Sequence, residues 1–134
     1  MTAASASPAP EPAAQTRVVG SKVFVRGIQL MAEVGLYAHE RGRRQPLILD
    51  VELDIGFSGV EHLSDTVNYE TIVTAAQAVA DEGHIELVEL FAERLAQRCL
   101  ADPRVTRARV RLEKPEALAP RAAGAGVEIT LVRG

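Results

Sequence analysis

Leu47, Leu49, Val51, Leu53, Ile55 and Phe57 alternate with Ile48, Asp50, Glu52, Asp54 and Gly56. A period of two held for this long is the signature of a strand with one face in a core and the other near water. Such a strand needs neighbouring strands and a layer over its apolar face. The same period recurs on both sides of it. Val23-Phe24-Val25 opens the ordered part, and Ile28, Leu30, Ala32, Val34 and Leu36 then alternate with Gln29, Met31, Glu33 and Gly35. A third long strand is expected from about Thr106 to Lys114, and Val127, Ile129 and Leu131 mark a last one.

Between the second and third strands the period becomes helical. Ile72, Ala75, Ala76 and Val79 lie on one stripe. After a break at Gly83, Ile85, Val88, Phe91, Ala92, Leu95 and Cys99 predict a second amphipathic helix, ending near Leu100 and stopped by Asp102-Pro103. The order is ββααββ, without repeats. Two hairpins with both helices on one face predict an α+β fold built on an antiparallel four-stranded sheet. Aromatic residues make up only 4% of the chain, and four strands leave two open edges, so subunit association is expected to complete the structure.

A chain of 134 residues is long enough for one domain with its own core. Residues 1–20 are Ala/Pro-rich and read as a disordered tail, with no basic start and no apolar signal-peptide core, ahead of a domain over residues 21–134. The net charge of −3 gives no electrostatic case for nucleic acid or an anionic membrane. No apolar run approaches the ~20 residues of a membrane span. Cys99 is the single cysteine, so no intramolecular disulfide can form, and a cytoplasmic location is expected.

Lys114 stands out on composition and position together. Of 15 basic residues, 13 are Arg; only Lys22 and Lys114 are Lys. Ala108, Val110, Leu112 and Lys114 share one face of the third strand, while Arg107, Arg109, Arg111 and Glu113 share the other. The lysine is thus on the apolar side. Arg keeps its proton in a protein, whereas a partly desolvated Lys can exchange one. Lys114 is a candidate proton-transfer group, the alternative being a strand-end lysine that snorkels into solvent.

Glu89 lies about a quarter-turn from the centre of its helix's apolar stripe, on a wheel of roughly 100° per residue. It sits beside Ala92 and Ala96, at the expected edge of burial. A carboxylate so placed can clamp two adjacent N–H donors of a guanidine-like heterocycle edge, or pair with an arginine such as Arg94. Tyr69 precedes the first helix, where Asn68 or Thr66 can cap; taken alone it is an ordinary aromatic. Glu40, taken alone, is a loop charge. His39, His62 and His84 have no metal-ligand spacing, and Gly124-Ala125-Gly126 precedes a strand instead of opening a helix, so neither set makes a metal or phosphate motif. Arg41, Arg43 and Arg44 form either an anion site or a solvated loop.

Four short segments share a pattern: Val34-Gly35-Leu36-Tyr37-Ala38-His39-Glu40, Asp65-Thr66-Val67-Asn68-Tyr69, Leu87-Val88-Glu89-Leu90-Phe91-Ala92-Glu93, and Glu113-Lys114-Pro115. In this order and at this spacing the chain resembles the bacterial dihydroneopterin aldolase family, across roughly Val23 to Arg133. The resemblance implies the tunnelling fold (T-fold), assembled as tetrameric rings or octamers with active sites between subunits. It implies that Glu89 and the backbone of Val88 bind the pyrimidine edge of a pterin. Lys114 would move the proton, Tyr69 would come from a neighbouring subunit, and Glu40 would complete the binding and proton-relay set. Retro-aldol cleavage of 7,8-dihydroneopterin in folate biosynthesis would follow, with no cofactor, metal or Schiff base. Val34-Gly35-Leu36 departs from members that place a histidine or tyrosine before the glycine, which bears on substrate preference. Two alternatives are a 2′-epimerase of dihydroneopterin or its triphosphate, with Arg43, Arg44 or Arg121 for the phosphates, and a non-catalytic pterin-binding oligomer.

Overall fold

The computed structural model describes residues 15–56 and 67–134. Phe57, His62, Asp65 and Thr66 lie outside the described residues, as do residues 1–14 of the Ala/Pro-rich segment; residues 15–20 are exposed and belong to no strand. The elements are β1 (Ser21–Ala32), a 3-10 turn (Ala38–Glu40), β2 (Gln45–Ile55), α1 (Glu70–Ala80), α2 (Val88–Leu100), β3 (Val105–Lys114) and β4 (Ala125–Val132). The strands form one antiparallel sheet in the order β1-β2-β3-β4, so among the described residues β1 and β4 are its edges.

Alternation decides which face is covered. Leu47, Leu49, Val51, Leu53 and Ile55 of β2 are all buried, as are Ala108, Val110 and Leu112 of β3. α1 contributes Ile72, Ala76 and Val79 to this core, and α2 contributes Phe91, Ala92, Leu95, Ala96 and Cys99. α2 lies against β3 and β4, and α1 against β1. The other face is charged. Lys22 reaches Asp54 at 2.5 Å, and Arg109 bridges Glu52 at 3.3 Å and Glu128 at 3.5 Å. Exposed pairs of this kind are screened by water and add little, so the apolar side holds the layers together.

β1 keeps its apolar side inward by means of a bulge. The register shifts between Val25 and Ile28, and Gly27 takes φ 68° there, where a side chain would be strained. The Gly27 N–H donates to Asp50 Oδ1 at 2.7 Å. The extra residue brings Ile28, Leu30 and Ala32 onto the face that Val23 and Val25 already use.

Two expectations change. β1 ends at Ala32, and Leu36 is exposed instead of continuing the strand. Ile85 is not helical: it forms an isolated parallel bridge with Val34, and α2 starts three residues later. Both residues are buried, which is why the sequence pattern included them. Cys99 is buried as expected, and burial pushes its thiol up to about 11.

Phe91 is fully buried and among the largest side chains of the core. Phe91→Ala should lower the unfolding free energy by about 3–5 kcal/mol, read from denaturant midpoints at fixed protein concentration.

Candidate active site

The site is built where β1 stops. The Gly35 N–H donates to the Ile85 carbonyl at 3.0 Å, and the Ile85 N–H donates to the Glu33 carbonyl at 3.0 Å. His84 Nε2 is 2.9 Å from the Gly35 carbonyl and therefore carries the proton that bonds it. These bonds pin the end of β1 to the segment ahead of α2. Gly35 then turns the chain with φ 138°. Only glycine fits, because a Cβ there would lie 2.1 Å from the Glu40 carboxyl carbon.

The turn that follows folds Glu40 back over Gly35. The Glu40 N–H donates to the Tyr37 carbonyl at 2.9 Å, and Glu40 Oε1 accepts from the Tyr37 N–H at 3.3 Å. Glu40 Oε2 accepts from Gln45 Nε2 at 3.0 Å and from Lys114 Nζ at 2.7 Å. Side-chain exposure is 7% for Glu40 and 15% for Lys114. Burial, the largest single influence on the Glu40 carboxyl, would raise it. The hydrogen bonds from Lys114, Gln45 and the Tyr37 backbone outweigh burial together and hold the carboxyl at about 2. Glu40 is therefore an anion at neutral pH. Lys114 closes the inward face of β3 beyond Leu112 and does not snorkel away. Glu40, which taken alone read as a loop charge, is a buried partner.

The other sequence candidates stand apart from this pair. Glu89 is exposed in the first turn of α2, not half-buried, while Ala92 and Ala96, one and two turns further on, are packed into the core. Arg94 is not its partner: Arg94 and Arg98 bond Glu82 at 2.8 and 3.1 Å. Among the described residues no hydrogen bond or ion pair engages the Glu89 carboxylate or the Tyr69 hydroxyl. Val88 is half-buried at the start of α2. Tyr69 is 64% exposed directly before α1. Asn68 does cap that helix, accepting the Glu70 N–H at 2.9 Å on its side chain. Among the described residues no group of three His, Cys, Asp or Glu is arranged around a cation site. His39 stacks on Tyr37, and Arg41 bonds Glu86 at 2.6 Å.

Gln45 was not among the sequence candidates. The signal was present, since stepping back by two from Leu49 and Leu47 lands on Gln45, a polar residue on the inward face.

A four-stranded meander under two helices, with a lysine–carboxylate pair at the inner end of its third strand, has clear counterparts among known proteins. The Escherichia coli dihydroneopterin aldolase structure in complex with neopterin superposes with a TM-score of 0.72 at 28% identity, covering 85% of this chain and 99% of that one. The architecture is thus the tunnelling fold, and the class is that of the aldehyde-lyases. A family model described as FolB: Dihydroneopterin aldolase matches residues 23–130. A dihydroneopterin aldolase of Streptomyces coelicolor is 30% identical over 99 residues, 72% of this chain and 83% of the relative. One from Methylorubrum extorquens is 31% identical over 106 residues, 76% of this chain and 82% of the relative. The chain belongs to the dihydroneopterin aldolase family.

The depressed Glu40 carboxyl makes stability depend on pH with a definite sign. A folded value below the ordinary 4.5 means that ionised Glu40 favours the folded state above 4.5. That contribution is lost as pH falls from 4.5 through about 2. The difference in unfolding free energy between the wild type and Glu40→Gln should be constant above pH 4.5 and shrink as pH falls toward about 2. Denaturant titrations across that window check it; a difference that grew on acidification would contradict the geometry.

Proposed function

We propose that the chain is a dihydroneopterin aldolase whose proton-transfer group is Lys114, oriented and charge-balanced by the Glu40 carboxylate. The 2.7 Å contact between these two side chains, in a chain of this family, is the observation that supports it most. The reaction read onto it is retro-aldol cleavage of 7,8-dihydroneopterin. Lys114 acts here in its neutral amine form: directly or through a water it takes the proton of the side-chain 2′-hydroxyl, and the ammonium so formed is balanced by the Glu40 carboxylate. The C2′–O bond becomes a carbonyl, the C1′–C2′ bond breaks, and glycolaldehyde departs. The electron pair passes from C1′ into the C6=N5 bond of the reduced pterin, with a proton taken up at N5. Reprotonation at C1′ and loss of the N5 proton give 6-hydroxymethyl-7,8-dihydropterin. The ring itself is the electron sink, the job that a Schiff base or a metal ion does in other aldolases.

Recognition would fall to Glu89 and the Val88 backbone at the start of α2, with the carboxylate accepting two parallel N–H bonds from the pyrimidine edge. Tyr69 of a neighbouring subunit would orient the side chain and a water. The exposure of Glu89 and Tyr69 in a single chain supports a pocket completed between subunits. So do the uncovered apolar side chains of Leu36, Tyr37 and Leu87, which lie within two of the family segments, and the edges β1 and β4, free among the described residues. The assembly would be a ring of four or a stacked octamer formed by residues 21–134. A single buried cysteine and a small-molecule biosynthetic substrate support a cytoplasmic location; among the described residues no helix is long and apolar enough to cross a membrane.

Incubation with 7,8-dihydroneopterin should release glycolaldehyde and the hydroxymethyl pterin in equal amounts. Recovery of a 2′-epimer without cleavage, from this substrate or its triphosphate, would mean an epimerase instead. Lys114→Ala should lower kcat by about 10² or more with a smaller effect on pterin affinity. Glu89→Gln should do the opposite, because an amide accepts from only one of the two N–H groups; unchanged pterin binding would rule out the clamp.

A pocket shared between subunits also predicts complementation. Lys114→Ala and Tyr69→Phe, each weak alone, should regain activity when unfolded together and reassembled. Roughly a quarter of the pockets would draw both intact groups from a random equal mixture. No recovery, with Tyr69→Phe alone severely impaired, would place both groups on one chain.

A further inference from the structure

Gln45 and Glu40 are the two polar or charged side chains buried among the described residues, and Gln45 is the deeper, at 1% exposure against 5%. It opens β2 opposite Ala32, the last residue of β1, on the face that continues with Leu47 and Leu49. A leucine or methionine would pack there without any cost of desolvating an amide. The side chain present spends both amide hydrogens. Nε2 donates to the Val34 carbonyl at 2.7 Å and to Glu40 Oε2 at 3.0 Å. Both partners can only accept, so they fix which end of the amide faces them.

The consequence lies in the carboxylate. Glu40 Oε2 receives two donors from two different strands, Gln45 from β2 and Lys114 from β3, while among the described residues Oε1 receives only the 3.3 Å bond from Tyr37. Without Gln45 the carboxylate would keep, among the described residues, the long Tyr37 bond and Lys114 itself, the group it has to orient. The Val34 carbonyl is itself held in place: Val34 is fully buried in its bridge to Ile85, and the N–H of the same peptide group, that of Gly35, donates to the Ile85 carbonyl. We propose that Gln45 is a positioning residue: anchored on the Val34 carbonyl, its amide locks the Glu40 carboxylate so that Lys114 is presented to substrate in one orientation. This rests on the aldolase reading for its effect on rate, but not for the contact itself. The groups facing the carboxylate are Lys114 from β3, the Tyr37 N–H from the turn and Gln45 from β2. His84, from the segment ahead of α2, holds the Gly35 carbonyl beneath it.

The test uses the full chain with Gln45→Met, which keeps length and packing but removes the donor. Two readouts are taken after folding and assembly are verified: the Glu40 carboxyl titration by carbon-13 NMR, and the pH profiles of kcat and KM with dihydroneopterin. The expected result is a Glu40 titration moved upward, an acid limb of kcat moved with it, and kcat lowered about 10-fold or more while KM stays within about twofold. A folded Gln45→Met with an unmoved Glu40 titration or an unchanged kcat would overturn the proposal and leave Gln45 as packing. Should Gln45→Met not fold, Gln45→Asn replaces it. The shorter amide keeps the polarity but cannot span the Val34 carbonyl and Glu40 Oε2 together, so the Glu40 titration should again rise and kcat fall; if neither moves, the proposal is overturned equally. If the wild type fails to cleave dihydroneopterin, the reaction assigned to the site is wrong. The NMR titration still decides, independently, whether Gln45 controls Glu40.

Discussion

The contact between Glu40 and Lys114 constrains everything around it. Two charged groups, 7% and 15% exposed, meet across 74 residues of sequence. Removing either from water alone would cost several kcal/mol, and their mutual attraction offsets that only with good geometry and further hydrogen bonds. The β1–β2 connection supplies those bonds by doubling back over the end of β1. Doubling back requires a residue with positive φ and no side chain at position 35, since any Cβ would occupy the carboxylate's place. It also requires the end of β1 to be held down, which the bonds to His84 and Ile85 accomplish.

The molecule treats its charges in two ways. On the open face of the sheet, Lys22, Glu52, Asp54, Arg109 and Glu128 form ladders that water screens and that add little stability. At the inner end of β3 one pair is withdrawn from water and held by backbone and amide donors, where electrostatic interactions are stronger. The proton-transfer half of the proposed site is thus already assembled within one chain. The other residues of the proposed site, Glu89 and Tyr69, stand exposed at two helix starts in the single chain. On the proposed reading the fold preorganises the proton-transfer pair, and the rest of the pocket would be completed by a neighbouring subunit and the substrate.

Lys114 was legible because it interrupts an apolar alternation, and the sheet confirms the face it takes. Gln45 interrupts the same kind of alternation, but as the first residue of its strand it is indistinguishable from the end of the preceding loop. Glu40 carried no local signal: a single charge in an Arg-rich segment looks solvated until the partner that buries it is known. For Glu89 the helical wheel misled. A wheel gives direction about the axis but not how far along the axis the covering layer reaches, so a residue in the first turn can be exposed while Ala92 and Ala96 are buried. Val34 and Leu36 kept the period of a strand past Ala32, yet the positive φ of Gly35 ended it. Ile85 kept the period of a helix that begins only at Val88.

Element types, their order and most of their buried faces were legible along the chain. Those follow from side-chain periodicity, a local property that the hydrophobic effect reads residue by residue. The four family segments were equally legible, since their order and spacing lie along the chain. Which polar groups meet was settled by three-dimensional packing. Which donors surround the Glu40 carboxylate depends on the register of β2 against β3, the turn at Gly35 and the docking of the segment before α2. No window of sequence contains all three, because the free energy of a buried charge is set by neighbours that folding alone brings within 3 Å.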